Sequence, residues 1–414
     1  MEFQRVLIIG SGGRENALAW KISQSRFCEK LFIAPGNAGT SFLGENVEIS
    51  VSDFVSIRDL ILYNKISIVI VGPEDPLVNG LHDFLINEIK NDNLIVIGPK
   101  KNGAALEGSK EFAKEFMFRH KIPTARYRTF NKKNIHEANI FLNSLKPPYV
   151  LKADGLAAGK GVLILTNLNE AKTTLENMIL KKKFGQASER VVIEEYLKGI
   201  EVSSFVLTDG DTYKIFPMAK DYKRIGVGDT GLNTGGMGAI SPVPFVDQKL
   251  YQKIENQVIR PTINGLKKDK IDYTGFLFIG LMIVENEPYV IEYNVRLGDP
   301  ETEAILPRIE SDLLEIFLQL KSSQLQTSNL KVSDLFSSTV MTVSKGYPEK
   351  YEKGKIIKGL GSKNESFLFH SGTKKEGENI VTSGGRVIAV TSMDKSLKIA
   401  LEKSYKTISK IDFE

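Results

Sequence analysis

Within residues 290–303, VIEYNVRLGDPETE, a carboxylate, an amide and a guanidinium fall at alternate positions: Glu292, Asn294 and Arg296. Val290 and Ile291 read as the apolar end of a strand, so alternation puts Glu292 and Asn294 on one face. Two oxygen ligands on a rigid strand suit a hard cation such as Mg²⁺ or Mn²⁺. Mg²⁺ usually takes only one or two protein carboxylates and completes its shell with water and phosphate. The Gly298-Asp299-Pro300 turn and Glu301 follow directly. Metal, phosphate and carboxylate could therefore meet in one place. A solvated edge strand could carry the same Glu-x-Asn, so the reading depends on the rest of the chain.

Three glycine-rich segments bear on it. GSGGRE at 10–15 is not a dinucleotide fingerprint, because Glu15 stands where the third glycine belongs and the second strand ends in APG rather than an acid. Its backbone N–H groups can still meet a phosphate at a helix start. DGLAAGKG at 154–161 is not a Walker loop, since Gly161 follows the lysine where Ser or Thr is required. Small residues there let backbone amides approach phosphate oxygens closely. KDYKRIGVGDTGLNTGGMGAISP, 220–242, is too long and glycine-rich for a simple connection; it reads as a functional loop with polar candidates Asp221, Lys223, Arg224, Asp229, Asn233 and Thr234. Lys152 alternates with apolar neighbours, and a buried ammonium there needs an anion.

The positioning elements are legible in outline. RVLIIG (5–10), KLFIAPG (30–36), ISIVIVGPE (66–74) and LIVIGP (94–99) are strand candidates alternating with helical stretches, which predicts a parallel, doubly wound sheet. Ligands bind beyond the carboxyl ends of such strands, where GSGGRE, PGNAG and GPEDP fall. Residues 109–120 read as an amphipathic helix capped by Ser109. Residues 150–152 and 161–165 flank the glycine loop as a hairpin, followed by a helix at 169–182. Strands are expected at 190–197, 201–207, 213–218 and 275–293, with a β-rich end from about 330 and a helix near 394–410.

LEGSK at 106–110, LKADGLAAGKGV at 151–162, DTGLNTGGMGA at 229–239 and VRLGDPE at 295–301 closely resemble the glycinamide ribonucleotide synthetase (phosphoribosylamine–glycine ligase) family of the ATP-grasp superfamily. The resemblance runs from IIGSGGREN at 8–16 to TSGGRVIAV at 382–390. It implies that Lys110, Lys152, Gly155, Gly159, Lys160 and Gly161 serve the ATP phosphates. The connector Glu194, Glu195, Tyr196 and Leu197 would lie under adenine, and Glu201 on the ribose. Glu292 and Asn294 would be the metal pair, with Gly280 standing where many ATP-grasp enzymes carry another acid. Arg296, Asp299 and Lys223 would be catalytic. Gly12, Gly13, Arg14, Glu15, Asn37, Asp221, Asn233, Thr234 and Gly235 would hold phosphoribosylamine and glycine. The substrates implied are ATP, glycine and phosphoribosylamine, joined through glycyl phosphate in purine biosynthesis. Another ATP-grasp ligase or carboxylase, or a regulatory nucleotide-binding module without turnover, would share some of these motifs.

The bulk numbers agree. The 414 residues, 42% hydrophobic and 25% charged with net charge +5, fit two to four globular domains without a basic nucleic-acid stripe. No apolar run reaches membrane length, and the strand starting near Met1 argues against a signal peptide. Cys28 is the single cysteine, in keeping with the cytoplasm. A monomer is expected. The expected fold is α/β: a doubly wound domain at 1–103, an ATP-grasp core at 104–122 and 193–328, a lid at 123–192 and a β-rich C-terminal domain at 329–414.

Overall fold

The structure, a computed structural model, describes residues 3–156, 161–228, 230–321, 325–361 and 365–413. Strands β1 (Gln4–Gly10), β2 (Cys28–Pro35), β3 (Glu45–Asn46), β4 (Ile68–Val71) and β5 (Ile95–Ile97) form one sheet in the order β3-β2-β1-β4-β5. All four pairings are parallel, as the βα rhythm predicts. Val6–Ile9 and Ile68–Val71 are buried throughout, the unbroken apolar pattern of strands covered on both faces. The turns after β1, β2 and β4 come together at the carboxyl edge. There the Glu15 side chain fills the space beside Gly10 and Gly72, where a Cβ on Gly72 would sit 2.0 Å from its Oε1.

Strands β6 (Tyr127–Asn131), β7 (Tyr149–Ala153), β8 (Val162–Leu165) and β9 (Arg190–Glu195) make an antiparallel sheet in the order β6-β9-β7-β8. Helices Ile135–Asn143 and Leu168–Leu180 share its core, where Phe130, Leu142, Leu151, Leu175 and Ile193 meet. The expected hairpin around the glycine loop is the β7–β8 pair. The preceding helix, Lys110–Arg119, starts at Ser109, whose Oγ accepts from Phe112 N–H at 3.1 Å.

Next come β10 (Ile200–Thr208), β11 (Tyr213–Ile215), β12 (Lys220–Gly226), β13 (Thr230–Ser241), β14 (Gly275–Val284) and β15 (Glu287–Asn294). Four of these form the sheet β11-β10-β14-β15. The expected 275–293 strand region is β14 and β15, split by a turn whose Glu285 and Asn286 have φ of 47° and 67°. Two left-handed residues give a turn of the hand that suits a twisted hairpin.

Residues 220–242 differ from the loop reading. They form the hairpin β12–β13, and Gly238–Ser241 pair with β16 (Phe336–Val343). Glycines strip the segment of the alternating side chains by which a strand is recognised, and register shifts between Tyr222 and Gly226 break its regularity further. With β17 (Phe367–His370) and β20 (Arg386–Asp394), the C-terminal sheet has the order β12-β13-β16-β20-β17, and β18 (Thr373–Glu376) and β19 (Asn379–Thr382) form a separate hairpin. Helix Leu397–Ile408 covers it, with Ser404 Oγ donating to Ser338 O at 3.0 Å.

His370 sits where this sheet meets the N-terminal domain. Its N–H donates to Asn16 Oδ1 at 2.7 Å, and its carbonyl accepts from Asn37 Nδ2 at 2.8 Å. Burial pushes its imidazole down to about 4, so it is neutral in the folded chain. An unfolded histidine takes up its proton near pH 6.5. The neutral ring's stability is therefore full above pH 6.5 and declines as pH falls toward 4, by up to about 3 kcal/mol. Urea midpoints at pH 7 and pH 4.5 should differ less in His370→Gln than in the unsubstituted chain.

Candidate active site

A cavity of about 870 Å³ lies between the lid sheet, the end of β15 and the N-terminal domain, lined among others by Lys110, Lys152, Glu292 and Asn294. Gly280 and Phe278 pair with Glu292 and Asn294 on β14, and the register shifts beside Gly280. A Cβ on Gly280 would lie 3.1 Å from Glu292 Cγ. Glycine thus leaves the Glu292 side chain its space, and a larger residue here would press on it. Burial alone would raise the Glu292 carboxyl, but Lys223, Lys152, Lys110 and Arg296 together hold it below its ordinary value. An ionised carboxylate beside an amide oxygen in a lysine-lined cavity fits Mg²⁺ with its phosphates. Among the described residues no group of three or more His, Cys, Asp or Glu forms a closed metal cage.

Arg296 is clasped by Glu107 Oε1 at 2.8 Å and Glu74 Oε2 at 3.1 Å, and also donates to Asn294 Oδ1 at 3.3 Å. Glu107 Oε2 accepts from Val295 N–H at 2.7 Å, so one carboxylate fixes both backbone and guanidinium at the end of β15. Burial pushes Glu107 up to about 7 against the pull of Arg296. Lys152, buried on β7, finds its anion in Glu194 at 3.0 Å. Lys110 Nζ donates to Gly155 O at 3.3 Å, and burial lowers its pKa. Lys223 bonds Glu201 Oε2 at 2.7 Å and lies 3.7 Å from Asp221. Burial opposes its charge, yet Asp221, Glu201 and Glu292 raise its pKa. Glu301, noted in the sequence beside the Asp299 turn, accepts from Ser203 Oγ at 3.0 Å; burial and then Asp221 push it up to about 7.

A second cavity, about 690 Å³, is lined by Gly12, Asn37, Ser371, Lys374, Lys375 and Ser383 among others. Asp299 and Arg386 line both cavities. Asp299 pairs with Arg386 Nη2 at 3.0 Å and accepts from Arg14 N–H at 3.2 Å. Burial disfavours its charge, but Arg386 and Arg14 keep its pKa low. Arg386 also donates to the Asp299 carbonyl at 2.8 Å and the Gly235 carbonyl at 2.7 Å. Behind them, burial and then the charge of Asp299 push the Glu303 carboxyl well above its ordinary value.

The remaining sequence candidates divide. Arg14, Asp221, Asn233, Thr234, Gly235 and Gly161 line the larger cavity. Gly13 packs against Glu303 and Ser371, while Glu15 is engaged internally by Gly12 N–H at 2.5 Å and Arg14 Nε at 2.8 Å. The Asn37 amide is occupied too: it donates to Ser11 O and accepts from Gly39 and Thr40 N–H. Gly155 N–H donates to Ala187 O at 3.2 Å. Glu195, Tyr196 and Leu197, the connector leaving β9, are not among the residues lining either cavity. Gly159, Lys160 and Asp229 lie outside the described residues. Glu74, Glu107, Lys114 and Arg386 escaped the sequence reading, although Glu74, Glu107 and Arg386 stand inside its own motifs GPEDP, LEGSK and TSGGR.

Two antiparallel sheets facing a cavity, with a glycine loop on one and a Glu-x-Asn strand on the other, define an ATP-grasp protein. Biotin carboxylase from Campylobacter jejuni shares this fold, with a TM-score of 0.74 at 15% identity over 99% of this chain and 92% of that one. The chain belongs to the phosphoribosylglycinamide synthetase family, whose N domain matches residues 4–107, ATP-grasp (A) domain 108–302 and C domain 337–414. It is 43% identical to the phosphoribosylamine–glycine ligase of Chlorobaculum tepidum, over 99% of this chain and 97% of that one. The Escherichia coli (strain K12) ligase is likewise 43% identical, over 99% of this chain and 96% of its own. The crystal structure of the Thermotoga maritima ligase superposes with a TM-score of 0.86 at 34% identity, over 99% of this chain and 97% of that one.

Arg386 joins β20 to the Asp299 turn and to β13. Arg386→Met should leave Asp299 buried without its cation, at a cost of about 3–5 kcal/mol. Chemical denaturation should show that loss, and amide exchange at Gly235 and Gly236 should quicken.

Proposed function

We propose that the chain ligates glycine to 5-phosphoribosylamine, converting ATP to ADP and phosphate and forming glycinamide ribonucleotide for purine biosynthesis. The observation that carries this reading is the pair of adjoining cavities with a shared Asp299–Arg386 wall. One is lined by lysines and the Glu-x-Asn strand and suits a triphosphate. The other, with Lys374, Lys375 and the Gly12 turn, suits the phosphate of a sugar. A ligation that needs ATP and a phosphorylated amine needs both.

A carboxylate resists attack by an amine because its charge must be displaced. A glycine carboxylate oxygen would first attack the γ-phosphoryl, breaking its bond to ADP and giving glycyl phosphate. The ribosylamine nitrogen would then attack the acyl carbon, losing a proton as phosphate leaves. Lys110, Lys152 and Arg296 would hold phosphate oxygens, and Lys223 with Asp221 would border the glycine. Glu292 and Asn294 would hold Mg²⁺ or Mn²⁺, which when bound neutralises charge on the phosphates.

A monomer fits cavities built from one chain. The cytoplasm fits a half-buried Cys28 whose thiol burial pushes up to about 11. Among the described residues no helix is long and apolar enough to cross a membrane.

ADP release should require glycine and phosphoribosylamine together. ADP formed equally well with other amino acids would point to a different ATP-grasp ligase, and ATP binding with no ADP under any pairing to a regulatory module. Glu292→Gln keeps shape but removes the one carboxylate of the pair, and turnover should fall at least about 100-fold. Excess Mg²⁺ should recover part of the loss, while the thermal midpoint without ligands should fall, because the four cations that hold Glu292 below its ordinary value lose its counter-charge. Near-normal turnover at low Mg²⁺ would end the metal assignment.

A further inference from the structure

We infer that Lys114, acting through Glu194, positions Lys152 for the nucleotide phosphates; this rests on the ATP site proposed above. Lys114 lies on helix Lys110–Arg119 with 2% of its surface exposed, and it lines the larger cavity. Its ammonium stands 3.2 Å from Glu194 Oε2, while Lys152 stands 3.0 Å from Glu194 Oε1. One carboxylate thus serves two ammoniums, one from the core helix and one from lid strand β7.

Both lysines are also moored to neighbouring carbonyls of β15. Lys152 Nζ donates directly to Ile291 O at 3.2 Å. Lys114 Nζ donates to Thr124 Oγ1 at 2.7 Å, and that hydroxyl donates to Val290 O at 2.7 Å. The next residue is Glu292. The lid lysine and the Glu-x-Asn pair are therefore held in one frame, with Glu194 and Lys114 as its corner.

The charge count gives the frame its purpose. Glu194 alone would neutralise Lys152 and present the phosphates with a closed ion pair. A second ammonium on the far carboxylate oxygen leaves the Lys114–Glu194–Lys152 triad one positive charge in excess beside the cavity. It also holds the far carboxylate oxygen, while Lys152 Nζ gives one hydrogen bond, to Ile291 O, and keeps its other N–H groups for a ligand. Burial lowers Lys114 to about 8 even against the attraction of Glu194, so an anion bound beside it would favour its charged form. A polyphosphate is such an anion.

The test is steady-state kinetics of the full chain with glycine and ribosylamine saturating, together with calorimetric titration of a non-hydrolysable ATP analogue. Lys114→Gln keeps hydrogen bonding to Glu194 and Thr124 but removes the charge. It should raise the ATP KM and the analogue Kd about 10-fold or more, with a smaller fall in kcat. Lys114→Arg should regain most of the affinity. A Gln variant with unchanged Kd, or one that loses only thermal stability, would overturn the inference. If Lys114→Gln fails to fold, the Arg variant decides by the same Kd, since a space-filling role predicts loss and a charge role predicts near-normal binding. Wild-type ADP assays test the ligase reading separately, because analogue binding does not depend on which acceptor is ligated.

Discussion

Glu292 must stay ionised and unclaimed in a cavity full of cations, and much of the site is arranged around that demand. Lysines close enough to attract a triphosphate are close enough to collapse onto a carboxylate proposed to hold a metal. The structure answers by giving three of the four cations an acidic partner and the fourth a carbonyl: Lys152 has Glu194, Lys223 has Glu201, Arg296 has Glu107 and Glu74, and Lys110 donates to Gly155 O. Among the described residues, no ion pair takes Glu292. Its charge is sustained at a distance by four cations and committed to none. Buried ion pairs often stabilise little, because desolvation consumes their attraction. Here their value lies in geometry.

The same device joins the parts of the chain. Glu74 comes from the turn after β4, yet it clasps an arginine beyond the end of β15. Arg386 comes from the C-terminal sheet, yet it secures the Asp299 turn. Arg14 reaches the same place, its side chain donating to Leu297 O at 2.8 Å. Each contact pairs a charged side chain from one unit with the segment 294–299 of another. That short segment is therefore where the N-terminal sheet, the ATP-grasp sheets and the C-terminal sheet are brought into register.

Local pattern carried much of this. The parallel sheet, the Ser109 cap, the hairpin around the glycine loop and the outward Glu-x-Asn pair all follow from runs of apolar residues, cap chemistry and alternation. Contacts of long range did not follow. Lys114 reads in sequence as one more charge on an amphipathic helix, and only the fold shows that it faces inward to Glu194. Asn37 reads as a polar loop residue free for substrate, but its amide is consumed by Ser11, Gly39 and Thr40. The β12–β13 hairpin escaped because glycine erases the side-chain alternation that makes strands visible.

That hairpin has a further consequence for modularity. Asn233, Thr234 and Gly235 wall the nucleotide cavity from β13, and β13 is hydrogen-bonded to β16 across about a hundred intervening residues. A cut near residue 329 looks natural along the chain, yet it would tear a sheet through its middle and take away the backing of a cavity wall. Recombining this nucleotide unit with a foreign C-terminal partner would demand a matching strand edge as well as a matching substrate pocket.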